Sequence, residues 1–278
     1  MPIITISRGT LSGGETLANL LSQKTGYPVV GLEVIKDAAT RYGISESAIS
    51  KELNQGPRVL ERLMGEKRRI YVIAVQSALA ERALKGSFIY HGLAGHFLLH
   101  GVPNVLKVRL VAPLSFRARS VMEKKRMTEE EALKYILKVD EKRKQWSKFL
   151  YDVDWTDPML YDMVIILDQI TLDTACAMIK GTLDQPEFKD SPEKEKAVQD
   201  FALSSRVKAQ LAFDERTRGV DIAVEAKEGA VFVRGQVFTT STLFAMGMES
   251  LKARIHEIAK GIPGVKELTI DITESPIA

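Results

Sequence analysis

Cysteine is almost absent from this chain of 278 residues, in which Cys176 is the only example. One cysteine excludes an intrachain disulfide framework and a metal site built from several cysteines. Long hydrophobic runs are also missing, because the longest apolar stretches fall far short of the ~20 residues that span a bilayer. The first residues have neither a basic segment followed by a long apolar run nor a small-residue cleavage site. These absences predict a cytoplasmic protein without a transmembrane segment.

The charge balance excludes some classes of protein and indicates one local site. Hydrophobic residues make up 45% and charged residues 27% of the chain, which is ordinary for a folded protein and excludes disorder throughout. The formal net charge is only +3, yet segment 107–148 carries 13 Lys/Arg against 6 Asp/Glu. Such a segment indicates a local anion site rather than a nucleic-acid surface, although a solvated helix face would give the same pattern. We expect no nucleic-acid partner.

The N-terminal two thirds of the chain alternate short apolar strands with helical stretches. The strand-like runs are 3–7, 87–91, 105–111 and 163–167. Helical periodicity separates them, as in 59–84 and 128–151, and the second of these opens with Thr128 and Glu131 as a capping box. This alternation predicts an α/β domain over residues 1–184, with a parallel sheet and helices on both faces.

A change of pattern near residue 185 divides the chain. Residues 185–197 contain two prolines and seven charged residues, so we predict a linker over 185–198. A helix at about 198–213, a hairpin that turns at Glu228-Gly229, a helix at about 243–260 and a strand at 265–272 follow. This order predicts a small α+β domain, α-β-β-α-β, over residues 199–278, with a core of its own.

A glycine-rich loop, Gly9 to Thr16, connects the first strand to the first helix. Against the nucleotide-binding pattern G-x-x-x-x-G-K-[ST], Gly9, Gly14 and Thr16 are in register and Glu15 replaces the lysine. Glycines let backbone N–H groups turn toward phosphate oxygens, the helix dipole adds to the attraction, and the threonine hydroxyl can reach a magnesium ion. A plain strand-to-helix turn is the alternative interpretation.

Arg8 directly precedes the loop and is a candidate substitute for the missing lysine. A guanidinium group binds phosphate well because it can donate two parallel hydrogen bonds. A surface arginine at a strand end is the alternative.

Several segments of the first domain, taken in order, resemble the cytidylate-kinase-like family of P-loop nucleoside monophosphate kinases. They are ITISRGTLSGGETLA at the start, HGLAGHFLL at 91–99, NVLKVRLVAPLSFR at 104–117, TEEEA at 128–132 and DEKRKQW…DWTDPMLYDMVI at 140–165. The resemblance implies a P-loop fold that binds ATP and Mg²⁺, in a family where the lysine position is often not lysine. The implied ATP contacts are Arg8, Gly9, Ser12, Gly13, Gly14, Glu15 and Thr16, with Thr16 also reaching the metal ion.

The same resemblance implies a lid whose arginines close over the phosphates. The implied catalytic residues are Arg117, Arg119, Asp140 and Arg143, and Arg143 would stabilise charge on the transferred phosphoryl group. Asp140 and Arg143 are three residues apart on one helix face, so a simple intrahelical ion pair is the alternative. The DW, DP and YD pairs from Trp155 to Asp162 also match the family, and would otherwise be a packed loop.

Three departures from the family bear on activity. Gly92 is followed by Leu93 and Ala94, where such kinases usually have a phosphate-contacting arginine. The helix near the acceptor opens with Gly31-Leu32-Glu33, so Glu33 is either a substrate contact or a first-turn carboxylate favoured by the helix dipole. His91 and His96 flank the missing arginine, and are either cations when protonated or ordinary polar residues at a strand end and a helix surface.

The second domain resembles a BON domain, through VKAQL at 207–211, IAV at 222–224, GAVFVRG at 229–235 and GIPGV at 261–265. The resemblance implies a module that binds a partner protein or a phospholipid surface. Two functions follow for the whole chain. One is a phosphotransferase that moves the ATP γ-phosphoryl group to a nucleotide or another small phosphate acceptor. The other is a catalytically degenerate, nucleotide-binding regulator whose second domain docks a partner.

Overall fold

Two sheets organise the chain in a computed structural model that describes residues 1–54, 66–92, 94–238 and 247–275. The first sheet contains five parallel strands in the order β2-β3-β1-β4-β5. They are β1 Ile3–Arg8, β2 Val29–Val30, β3 Phe88–Tyr90, β4 Val105–Val111 and β5 Met163–Ile166. The four predicted strands are confirmed, and the two-residue β2 is too short to give a pattern in the sequence.

Helices cover both faces of this sheet, as the fold class predicts. Helices α1 and α8 pack on one face, and α2, α3 and α4 pack on the other. The described helices of this domain are α1 Gly14–Thr25, α2 Glu33–Tyr42, α3 Glu46–Asn54, α4 Glu66–Ala83, α5 Gly95–Leu98, α6 Leu114–Lys125, α7 Glu129–Tyr151 and α8 Leu172–Leu183. Residues 55–65 of the predicted helix 59–84 lie outside the described residues.

The central position of β1 explains its composition. Ile4 and Ile6 face the α1 and α8 side, while Ile3 faces the other helices, and all three are almost fully buried. A parallel strand covered on both faces needs apolar residues without alternation, as its sequence has. The carboxyl end of β1 therefore delivers the glycine-rich loop to the edge of the sheet from a rigid support.

Helix α7, which carries Asp140 and Arg143, begins at the predicted capping box. The Thr128 side chain accepts a hydrogen bond from the Glu131 N–H, and the Glu131 carboxylate accepts one from the Thr128 N–H at 2.8 Å. These bonds satisfy two backbone donors at the start of the helix that would otherwise lack partners.

Removing this cap gives a measurable loss of stability. We expect Thr128→Ala to lower the free energy of unfolding by about 1 kcal/mol, because the Glu131 N–H loses its side-chain partner. Urea unfolding followed by circular dichroism measures the change. Thr40→Ala is the control, since Thr40 is exposed inside α2 and alanine favours a helix. Equal losses in the two variants would contradict the role of the cap.

The second sheet contains β6 Asp221–Lys227, β7 Ala230–Phe238 and β8 Glu267–Ser275, with β6 antiparallel and β8 parallel to β7. Glu228 and Gly229 form the predicted hairpin turn, with φ of 50° and 94°, as a two-residue turn between twisted strands requires. Helices α9 Pro192–Phe213 and α10 Met248–Lys260 cover one face of the sheet. The part of the predicted helix at 243–246 lies outside the described residues.

Helix α9 starts six residues before the predicted position, inside the segment expected to be linker. The Ser191 side chain accepts a hydrogen bond from the Lys194 N–H, and Pro192 occupies the first turn. A capping serine followed by proline and glutamates is a helix start, and the high charge of the segment hid this signal. Residues 192–198 are therefore helical, and the domain limits themselves stay a prediction.

Among the described helices, none is both long and apolar enough to cross a membrane.

Candidate active site

The glycine-rich loop wraps tightly around the end of β1. Leu11 and Gly13 adopt positive φ of 51° and 84°, and the buried Ser12 hydroxyl donates to the Gly9 carbonyl at 3.0 Å. Helix α1 begins directly after this turn, at Gly14. The loop therefore presents a helix N-terminus at the carboxyl edge of the sheet, which is a place that favours an anion.

Arginine side chains pack directly against two glycines of the loop. A Cβ at Gly9 would lie 2.8 Å from Cζ of Arg117, and a Cβ at Gly14 would collide with the Arg8 side chain. Arg8 and Arg117 therefore approach the loop from opposite ends. This close packing brings two of the predicted cations to the loop.

Asp140 of α7 connects helices α6 and α7 to the glycine-rich loop. Its Oδ1 accepts hydrogen bonds from the N–H and the hydroxyl of Thr10, at 3.3 and 3.2 Å. Its Oδ2 pairs with Arg117 at 2.6 Å, and Nε of Arg117 donates to the Thr10 carbonyl at 2.9 Å. Asp140 thus fixes both Arg117 and the first turn of the loop, which is more than an intrahelical pair with Arg143.

Arg143 lies against the end of β1, close to Arg8. Its Nη1 donates to the Arg8 carbonyl at 2.8 Å and is 3.8 Å from Asp140 Oδ1. Burial, and then the charge of Arg143, lowers the pKa of Arg8 to about 10. Burial also lowers the pKa of Arg143, although Asp140 opposes this shift. Two partly buried guanidinium groups in close proximity favour an anionic ligand, which would relieve the cost of burying them.

A cavity of about 100 Å³ opens behind these two arginines. Its walls are mostly apolar, with Arg8 and Arg143 at the end near the loop. The other side chains that shape it include Val34 and Ile35 of α2, Val72 and Val75 of α4, and His96, Tyr151 and Trp155. A mainly apolar cavity with a few polar groups at one end is the usual form of a small-molecule site.

The two histidines beside the cavity are not cations at neutral pH. Burial, followed by the charges of Arg109 and Lys107, lowers the pKa of His96 to about 3. His96 is only 6% exposed, so its expected place on a helix surface is wrong. Burial and the charge of Arg8 also lower the pKa of His91. Neither imidazole replaces the missing arginine, and Leu93, at that position, lies outside the described residues.

The buried imidazole of His96 has a second feature that the sequence did not indicate, which is a ring nitrogen without a hydrogen-bond partner. Its Nδ1 is buried in the cavity wall and is one of three buried side-chain atoms without a hydrogen-bond partner in the described part of the chain. An unpaired buried polar atom is costly, so His96 places an uncompensated polar group in the wall of the cavity.

The predicted residues that remain are less involved in the loop. Arg119 is exposed and is two residues from Arg117, which places it on the opposite side of α6. The structure therefore does not bring Arg119 to the loop. Thr16 is exposed in the first turn of α1, and Glu33 is exposed as the first residue of α2, beside His91.

The segment from Trp155 to Asp162 supports the end of β1. The Tyr161 hydroxyl donates to the Trp155 carbonyl at 2.7 Å and lies 3.0 Å from the Ser7 hydroxyl. The Arg109 guanidinium lies 4.4 Å from the centre of the Trp155 ring. Asp157 accepts a hydrogen bond from the Met159 N–H. These contacts fit the packed-loop interpretation and place Trp155 in the cavity wall.

The Glu15 side chain is exposed to solvent in the first turn of α1. It is 68% exposed and its carboxylate lies 3.7 Å from the Lys124 ammonium group.

We expect Glu15→Gln to change the free energy of ATP binding by less than about 1 kcal/mol, because solvent screens an exposed charge. Titration calorimetry measures it, with Arg8→Gln as the control that weakens binding. If Glu15→Gln strengthened ATP binding by more than about 2 kcal/mol, which is the size of a hydrogen bond to a charged group, the Glu15 carboxylate would have to lie against the phosphates.

A parallel sheet in this strand order, with a glycine-rich loop after β1 and arginines of α6 and α7 against that loop and the end of β1, defines a P-loop kinase fold. The family model of the cytidylate kinase-like family matches residues 3–169, and the chain belongs to this family. The BON domain model matches residues 199–275.

Curated relatives and a solved structure agree with this assignment. A cytidylate kinase of Methanopyrus kandleri is 26% identical over 199 residues, 68% of this chain and 97% of the relative. One of Methanocaldococcus jannaschii is 24% identical over 185 residues, 66% and 97% of the two chains. An uncharacterized protein from Eubacterium ventriosum has a TM-score of 0.52 at 23% identity, covering 66% of this chain and 98% of its own, which shows the shared fold.

Proposed function

We propose that the first domain transfers the γ-phosphoryl group of ATP to a nucleoside monophosphate, with CMP as the first acceptor to test. The observation that carries this proposal is the placement of Arg8 and Arg143 between the glycine-rich loop and the apolar cavity. Phosphoryl transfer needs little covalent chemistry from the protein, since positioning and charge stabilisation supply most of the rate. Cations between a donor loop and an acceptor cavity meet that need.

The loop supplies the donor side. Its backbone N–H groups and the N-terminus of α1 would hold the ATP phosphates, with Arg8 replacing the usual lysine. Gly9, Ser12, Gly13, Gly14 and Thr16 would approach them most closely. Arg117 and Asp140 would act as the latch that keeps the lid on the loop. Arg143 would stabilise the charge that develops on the transferred group.

Magnesium would enter with the nucleotide. The hydroxyl of Thr16, at the start of α1, is the group in this loop that fits a magnesium ion, because hydroxyl and phosphate oxygens are hard ligands. Within the described residues, no group of three His, Cys, Asp or Glu side chains is placed to hold a metal ion. The ion would neutralise charge on the phosphates, and the protein would bind it through Thr16 and the nucleotide.

The cavity supplies the acceptor side. Its aromatic side chains, Tyr151 and Trp155, suit a flat base, and Arg8 and Arg143 suit a phosphate group at the other end. The imidazole of His96 would add a polar side chain to the wall that surrounds the acceptor. Glu33, at the start of α2, would contact the acceptor from the rim.

A phosphoryl-transfer assay with ATP and a panel of nucleoside monophosphates tests the proposal, run beside ATP-binding calorimetry. Turnover with at least one acceptor is the expected result. ATP binding without turnover on the whole panel would overturn it and select the second candidate, a nucleotide-binding regulator. The glutamate at position 15 favours that candidate, because the loop lacks the lysine that usually neutralises the phosphates.

The charge of the C-terminal domain favours a protein over a phospholipid surface as its partner. Residues 199–275 contain 10 Lys/Arg and 11 Asp/Glu, so the domain lacks the excess of positive charge that anionic lipids attract. Because the proposed substrate ATP is intracellular, we propose that the protein is cytoplasmic.

A further inference from the structure

Helix α9 belongs to two hydrophobic cores at once. Leu203, Val207 and Leu211 are buried in the core of the C-terminal domain. Ala209 and Ala212, on another side of the helix, pack with Ile70 and Ile73 of α4. The C-terminal domain is therefore joined to the first domain by a continuous packed helix.

A three-helix ion cluster reinforces this junction. The Glu81 carboxylate of α4 accepts hydrogen bonds from Nη2 and Nε of Arg206 in α9, at 2.6 and 3.0 Å. Arg41 of α2 lies 3.4 Å from its other oxygen. The side chains of Glu81 and Arg206 are only 17% and 25% exposed, so solvent screens this pair less than a surface pair. One carboxylate thus connects α2, α4 and α9.

An aromatic contact connects the same three helices a second time. The ring of Tyr42, at the end of α2, stacks on Phe213 of α9 with ring centres 4.7 Å apart and planes 5° from parallel. The Tyr42 hydroxyl donates to the Ser77 hydroxyl of α4 at 2.6 Å. Burial raises the pKa of Tyr42, so its hydroxyl keeps this proton at neutral pH.

Arg69 connects the other end of α4 to the C-terminal domain. Its guanidinium pairs with Asp221 at 2.6 Å and donates to the Val220 carbonyl at 2.9 Å. Ile73 and Glu81 of α4 contact α9 directly, and Ser77 contacts it through Tyr42, which stacks on Phe213. Helix α4 therefore contacts the C-terminal domain at almost every turn.

The helices held in this way are those that shape the acceptor cavity. Val34 and Ile35 of α2, and Val72 and Val75 of α4, form its apolar walls. We propose that the C-terminal domain is a positioning element of the acceptor site, in which Arg206 and Phe213 hold α2 and α4 in the arrangement that closes the cavity. The link to acceptor binding rests on the proposed function, whereas the link to the two helices does not.

Arg254 provides a matched control for Arg206. It pairs with Asp214 at 2.6 Å, and the two side chains are 27% and 15% exposed, close to the values for Arg206 and Glu81. Arg254 lies in α10 and Asp214 follows α9, and among the described residues their hydrogen bonds join these two elements and not α2 or α4. Arg206→Ala and Arg254→Ala therefore break similar ion pairs, and only the first loosens the acceptor helices.

The first measurement is kinetic, on the full chain with CMP and ATP. We expect Arg206→Ala and Phe213→Ala to raise the KM for CMP about three- to tenfold, the range for mutations that act between sites, with the KM for ATP near the wild-type value. Arg206→Lys should recover part of the loss, because it keeps the charge. An equal rise in the KM for CMP in Arg254→Ala, or equal rises for CMP and ATP, would overturn the positioning role.

The second measurement is hydrogen exchange of the same variants, which needs no activity. Arg206→Ala and Phe213→Ala should speed amide exchange in α2 and α4, and Arg254→Ala should speed it in α10 and at the end of α9 without changing it in α2 or α4. Unchanged exchange in α2 and α4 would overturn the inference. If the wild-type chain phosphorylates no acceptor while these helices lose protection as expected, the proposed function fails and the positioning role stands.

Discussion

Gly14→Val should abolish ATP binding while the chain remains folded. The new Cβ would take the space of the Arg8 side chain, so the variant displaces the cation that we propose as the substitute for the loop lysine. The rest of the valine would occupy the space in which a phosphate approaches the backbone of the loop. Losing a guanidinium contact and the N–H cradle together removes several charged hydrogen bonds of roughly 1.5–3 kcal/mol each. Titration calorimetry with ATP should therefore show no binding at millimolar nucleotide.

Gly181→Val is the matched control for this experiment. Gly181 lies in α8, is exposed, and has no atom within 4 Å of the position of a Cβ. Valine there keeps the helix and touches nothing in the loop, so ATP affinity should equal that of the wild-type chain. Circular dichroism and urea unfolding confirm that both variants are folded. Unchanged ATP affinity in a folded Gly14→Val protein would contradict the assignment of the loop.

The sequence predicted the parts of the fold that depend on local signals. The apolar run of β1, the glycines after it and the capping box at Thr128 each specify their structure within a few residues, and all are found where expected. The family of both domains was also predicted from ordered segments and is confirmed. Two local signals were overlooked, namely the start of α9 at Ser191-Pro192 and the helical period that separates Arg119 from Arg117.

Long-range packing accounts for what the sequence could not indicate. His96 resembles any polar residue near a helix start, and its burial depends on Tyr161, which is 65 residues away and has its ring 4.8 Å from the imidazole. The contact of Asp140 with Thr10 joins residues 130 positions apart. The cluster at Glu81 unites three helices from both domains. Such contacts exist only after the elements pack, so no local pattern encodes them.

Arg143→Ala should lower kcat by about 10³-fold if the first domain transfers a phosphoryl group, the lower end of the range for an arginine that stabilises this transition state. Arg143 lies at the end of β1, between the loop and the acceptor cavity, where charge would develop during transfer. The KM for ATP should change much less, because in the proposed function the loop and Arg8 would hold the donor phosphates. Steady-state kinetics with ATP and CMP measure both constants.

Arg119→Ala is the control that separates this role from the general positive charge of the lid. Arg119 belongs to the same basic segment and was predicted to be catalytic, but it is exposed on the opposite side of α6 from Arg117. Its removal should change kcat less than about threefold, because an exposed charge in water contributes little at a distance. Arg143→Lys should remain strongly impaired, since an ammonium group cannot reproduce the planar donor geometry of a guanidinium. Similar losses in Arg119→Ala and Arg143→Ala would mean that the lid acts through its total charge, and the specific role of Arg143 would be wrong.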